Sequence, residues 1–100
     1  MVAMVEKFFR PGDDPHYQAW LAAHPDGYVV NIGRSGRSGH ARLHRATCKW
    51  ITELHGRGTT FVDQWAKWCD TSEEKLQEEV EKERGSPAER CHSPGVGCWL

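Results

Sequence analysis

Apolar residues in this chain fall in short runs whose spacing changes from segment to segment, and the changes mark its elements. Tyr17, Trp20, Leu21 and His24 recur at helical intervals, which predicts a helix over 16–24 with one face turned inward. Asp13 or Asp14 offers its N-cap, and Pro15 stands in the first turn, where its missing N–H is not needed. Pro25-Asp26-Gly27 ends the helix with turn chemistry. Ahead of it, Met1 to Arg10 is a short apolar lead, with Phe8 and Phe9 available for packing, and Pro11-Gly12 breaks it.

Tyr28-Val29-Val30-Asn31-Ile32 has the β-branched density of a strand. Ala41-Arg42-Leu43-His44-Arg45 alternates apolar and polar, as a half-buried return strand does. The two read as a β-hairpin over 28–45 whose tip, residues 33–40, is a flexible basic Gly/Ser/Arg loop. Thr47 can cap a central helix from Cys48 to His55, in which Trp50, Ile51 and Leu54 form the apolar stripe and Gly56 the stop.

Thr59 to Cys69 supports two readings. Its β-branched start favours a third strand of the hairpin sheet. Phe61, Trp65, Trp68 and Cys69 also match a helical face, with Thr60 and Asp63 shaped like a capping box. The strand is the preferred reading. A helix then runs from Thr71 or Ser72 to about Arg84, with Leu76 and Val80 as core contacts and i,i+4 pairs Lys75/Glu79 and Glu78/Lys82. Gly85-Ser86-Pro87 stops it, and 86–100 is a cysteine-bearing tail. The expected fold is a small α+β domain spanning 1–100: an N-terminal helix, a three-stranded antiparallel sheet, a central helix and an acidic C-terminal helix.

One hundred residues suit one hydrophobic core, and five Trp, three Phe and two Tyr give that core large apolar surfaces. No run of apolar residues approaches the ~20 needed to cross a bilayer. Met1 to Arg10 lacks the pattern of an export signal, so a cytoplasmic address is expected. Net charge is −1 but unevenly spread. Between Asn31 and Arg57 six basic residues face the single acid Glu53; between Asp70 and Arg84 seven acids face three bases. The asymmetry points to a polarised surface, or to two solvated faces that partly neutralise each other.

In a chain expected to stay in a reducing compartment, four cysteines read as thiols or metal ligands. Cys48, Cys69, Cys91 and Cys98 are the candidate ligands of one zinc ion, with His44 and His92 as alternates. Cys48 and Cys69 sit near predicted helix N-termini, which favour thiolate. Cys91 and Cys98 bracket the flexible Ser93-Pro94-Gly95-Val96-Gly97, and a metal would give the tail a reason to be ordered. The spacing lacks the usual short knuckle, since six residues separate even the closest pair. Two other outcomes stay open: Cys48 and Cys69 as small buried apolar groups, and a Cys91–Cys98 disulfide.

Catalytic signatures are missing. Gly33 to His40 resembles a phosphate loop only in glycine content, because His40 and Ala41 stand where Lys and Ser or Thr belong. Neither the dinucleotide fingerprint nor the nucleophile elbow occurs. The expected function is non-catalytic: a zinc-stabilised binding module that contacts nucleic-acid phosphates through Arg34, Arg37, Arg42, Arg45 and Lys49. The competing expectation is a protein-interaction module using the acidic helix or the basic hairpin.

Overall fold

The computed structural model describes residues 5–33, 40–53, 62 and 65–99. Its elements in chain order are β1 (Glu6–Phe8), a 3-10 turn (Pro11–Asp13), α1 (Asp14–Ala23), β2 (Tyr28–Gly33), β3 (Ala41–Arg45), α2 (Lys49–Thr52), β4 (Trp65–Asp70), α3 (Glu73–Arg84) and β5 (Glu89–Arg90). The class is α+β. Five strands, not three, form one mixed sheet in the order β1-β4-β2-β3-β5, antiparallel throughout except for the parallel β3–β5 pair.

The two strands missed from the sequence are short. β1 shows three residues, too few for an alternation to register. β5 has two charged residues and is defined only by pairing Arg42 with Glu89 and Leu43 with Arg90. The ambiguous stretch resolves as a strand from Trp65 onward, while Thr59 to Phe61 lie outside the described residues. All of Ala66–Asp70 is buried, as in a strand covered on both faces, where apolar spacing can mimic a helical stripe. This third strand pairs with β2, so β2 is central. The basic tip, residues 34–39, lies outside the described residues. The central helix is one turn, Lys49–Thr52, with the rest of its predicted span beyond Glu53 also outside them.

Strand alternation sorts the side chains onto two faces. Val29, His44 and Cys69 are register partners in one row across β3, β2 and β4, and Val29 and Cys69 pack with Tyr17, Trp20, Ile51 and Val62. This face is covered by α1 and α2. Val30, Leu43 and Trp68 form the adjacent row and pack with Leu76 and Val80 of α3 on the opposite face. Two buried polar contacts fix the first layer: Tyr17 Oη donates to Ile51 O at 2.8 Å, and Val62 N donates to Asp14 Oδ1 at 2.8 Å. Asp14 therefore serves tertiary structure. Asp13 Oδ2 accepts from Phe9 and Arg10 N–H instead of capping α1.

α3 carries its expected terminal signals. Ser72 accepts from Lys75 N at its start, and Gly85 closes it in the left-handed region at φ 84°. Glu79, expected to pair with Lys75, forms ion pairs with Lys7 of β1 and with Lys82.

Candidate metal centre

The site forms where three pieces of chain meet at the edge of the sheet. His44 lies on the α1/α2 face of β3 and is buried. After the turn at Ala46-Thr47, Cys48 takes the N-cap position of α2 in extended conformation. Cys91 follows β5 and continues its pairing, with its N–H donating to Leu43 O at 2.8 Å. Alternation from Glu89 and Arg90 then puts Cys91 on the same face as His44.

The tail turns back through Gly95 and Gly97, whose φ values are 74° and 84°. Three bonds fasten it beside Cys48: Lys49 N to Val96 O at 2.7 Å, Thr47 Oγ1 to Gly97 O at 3.2 Å, and Arg45 N to Cys98 Sγ at 3.4 Å. The backbone runs so close here that a Cβ on Gly97 would lie 3.0 Å from Thr47 O.

The result is convergence of His44, Cys48, Cys91 and Cys98, whose ligand atoms all lie within 4.8 Å of one another. His44 Nδ1 is 3.4 Å from Cys48 Sγ and 3.8 Å from Cys98 Sγ. A tetrahedral zinc with ordinary bond lengths has N···S edges of about 3.6 Å, and the two distances bracket that value. The structure thus brings together a group that could hold a metal ion.

Each sulfur receives a backbone donor, and burial opposes its charge. Cys48 receives a backbone hydrogen bond from Trp50, Cys91 from Ser93 and Cys98 from Arg45. Donors aimed at ligand sulfurs orient them and stabilise their charge. Burial pushes the Cys48 and Cys98 thiols up. For Cys91 burial is opposed by the Ser93 N–H and hydroxyl and by Cys98 and Cys48, and the balance holds it below the ordinary thiol value.

The expected ligand set is corrected at one position. Cys69 is fully buried and belongs to the core beneath α1. In its cross-strand row Val29 stands between it and His44, and two strand spacings of ~4.8 Å separate the two backbones. His44 takes the fourth place. The sequence signal for it was spacing, four residues before Cys48; the apolar and polar alternation of the return strand put it on the face opposite Leu43, and α1 and α2 cover that face. His92, the other alternate, is exposed. All four cysteines are free thiols, so no Cys91–Cys98 disulfide forms.

The basic residues do not share one surface. Arg34 and Arg37 lie outside the described residues. Arg42 is on the His44 face and pairs with Glu89 at 3.1 Å. Arg45 is on the opposite face, its guanidinium 5.1 Å from the centre of the Trp99 ring. Alternation therefore parts Arg42 and Arg45, two of the expected phosphate contacts, onto opposite faces of the sheet. Lys49 is exposed at the start of α2.

No protein-family model matches this chain, and no curated protein or solved structure matches it either. Among the described residues no helix is long and apolar enough to cross a membrane.

Proposed function

We propose that this chain is a non-catalytic binding module in which zinc, held by His44 Nδ1 and the thiolates of Cys48, Cys91 and Cys98, fastens the tail to the sheet. The observation that carries the reading is the convergence of those four ligand atoms. Three sulfurs and one imidazole in tetrahedral reach select zinc over hard, oxygen-preferring cations. Four protein ligands fill a tetrahedral shell and leave no position for substrate, which supports a structural role. The purified protein should contain one zinc per chain, and cobalt substitution should give the absorption of a tetrahedral, thiolate-rich site. Absence of metal, with melting indifferent to chelator, refutes this part.

The module's partner in this reading is nucleic acid, contacted at phosphates by the hairpin through Arg34, Arg37 and Arg42, with Lys49 as a further contact. Arg45 drops out, because it faces away. What supports the reading is the concentration of Arg in the hairpin and the fork geometry that suits Arg to phosphate. Metal-loaded protein should shift DNA or RNA at low salt and lose affinity steeply as salt rises. Replacing Arg34 and Arg37 together with Ala should weaken binding to all sequences alike and make the salt dependence shallower. No shift at low salt would turn attention to the acidic helix, where Glu74, Glu78 and Glu81 are exposed. Glu73 and Glu79 are tied back to Arg90 and Lys7.

A further inference from the structure

The proposed metal centre has a second side. His44 and Cys91 form part of the wall of a cavity of about 490 Å³, whose other lining residues among those described are Asn31, His40, Arg42, Trp50, His92 and Ser93. This volume falls in the range of small-molecule sites. Among the described lining residues there is no carboxylate, whereas a guanidinium, two non-ligand imidazoles, an amide and a hydroxyl are present. The cavity is built to receive an anion.

The strand row that carries Asn31 and Arg42 sharpens that conclusion, although Lys67 in it lies behind the lining. Lys67, Asn31 and Arg42 are register partners in one row across β4, β2 and β3. Lys67 is buried and its ammonium donates to Asn31 Oδ1. The oxygen of the amide is thereby engaged from one side, which leaves its NH2 as the group to offer a ligand. Two cations thus flank a donor amide, an arrangement that favours negative charge above it. Arg42 does hold Glu89, but that carboxylate's side chain is 81% exposed. A solvent-exposed pair is weak, and a phosphate can displace it while offering the guanidinium two oxygens.

The remaining wall is aromatic. Trp50, on the one-turn helix that follows Cys48, is 40% exposed, and it lines this polar cavity. An exposed indole in the same lining as the Arg42 guanidinium matches a ligand that joins an anion to a flat ring.

We infer that this cavity binds one nucleotide unit, with its phosphate on Arg42 and Asn31 and its base against Trp50. The inference rests on the nucleic-acid reading above and names the unit that would be recognised. It applies to a free nucleoside monophosphate and to a nucleotide within a single strand, which share this chemistry. A duplex buries its base faces and lacks it.

Calorimetric titration of the metal-loaded chain tests the inference, with metal content measured in each sample. The titrants are a nucleoside 5′-monophosphate, its nucleoside, inorganic phosphate, and a short single-stranded oligonucleotide beside its duplex. The monophosphate should bind at least about tenfold tighter than either nucleoside or phosphate alone. Trp50→Ala should weaken nucleoside and monophosphate by about tenfold and leave phosphate unchanged. Arg42→Gln should weaken monophosphate and phosphate and leave nucleoside unchanged. Both variants should retain full metal. Tighter binding of the single strand than of the free monophosphate identifies the strand as the source; the reverse identifies the free nucleotide.

The inference is overturned if the monophosphate binds no better than phosphate, or if neither variant alters its binding. If long DNA or RNA still shifts through Arg34 and Arg37 in that case, the hairpin reading survives and only the cavity assignment falls. Nucleotide binding by a protein that shifts no long nucleic acid has the opposite meaning.

Discussion

Exchanging a single sulfur for oxygen separates the metal centre from the core beside it. Cys98→Ser removes a thiolate at the only half-buried corner of the cluster, a corner that receives the Arg45 N–H and lies 3.8 Å from His44 Nδ1. With free zinc a thousandfold above its dissociation constant, the bound ion adds ~4 kcal/mol to stability. If the serine weakens the site about a thousandfold, nearly all of that is lost. At ~4–8 °C per kcal/mol for a domain of this size, the melting temperature should fall by roughly 15–30 °C. Cys69→Ser puts a hydroxyl into an apolar site with no metal, which costs ~1–3 kcal/mol if the hydroxyl is left without a partner. The two temperature shifts can overlap, so metal content is the deciding assay. Cys69→Ser should keep one zinc per chain and remain chelator-sensitive, whereas Cys98→Ser should hold less than one and melt alike with and without chelator. A Cys69→Ser protein that loses its metal, or a Cys98→Ser protein that keeps it at full occupancy against chelator, would refute the assignment.

Gly97→Ala should destabilise by at least ~1–2 kcal/mol and release metal at lower chelator concentration, because it forces a side chain into left-handed backbone and against Thr47 O at 3.0 Å. Gly95→Ala, also at positive φ but with open space around it, should cost less; equal effects would remove the close-approach argument. Tyr17→Phe should lower the denaturant midpoint by an amount equivalent to ~1–2 kcal/mol, since it leaves Ile51 O without its hydroxyl donor in a buried layer. The Glu79 carboxyl is held below its ordinary value, first by the hydrogen bond from Lys7. Its contribution is complete above the unfolded carboxyl value and is lost as pH falls through the lowered folded value. Lys7→Met should therefore flatten the acid limb of the stability profile, while changing stability at neutral pH by no more than ~1 kcal/mol, because the pair is partly exposed.

What the sequence disclosed follows from the length of each signal. α1, α3 and the pair β2–β3 each carry enough residues for a period to show, and each was read to within a few residues. β1 and β5 are held by pairing partners distant in the chain, and nothing in Glu6–Phe8 or Glu89–Arg90 announces a strand. β4 carried conflicting signals because a strand buried on both faces can space its aromatics like a helix. Three of the four proposed ligands were legible as cysteines. The fourth, His44, was named only as an alternate, because residue type was weighed above face: Cys69 is a cysteine, but its row places Val29 between it and His44. Face also parts Arg42 from Arg45, which are an odd number of residues apart on one strand.

The position of the proposed zinc also explains how so short a tail stays against the sheet. Beyond β5 the packed apolar groups of the tail are few: Val96 and Cys98 rest against one core cluster, and Trp99 stacks on Tyr28 on the other face. Such contacts compete poorly with the entropy of ordering a glycine-containing loop. A dication would offset that cost. Held by His44 and the three cysteines, it would tie the β3–α2 corner to two points of the tail and close long loops in one step. The left-handed Gly97 and the bond from Lys49 N to Val96 O are then the backbone conditions for that closure. The same closure sets His44 and Cys91 as a fixed wall of the neighbouring cavity. On the proposed reading the two sites share His44 and Cys91, so zinc and nucleotide should each change the affinity for the other by the same factor.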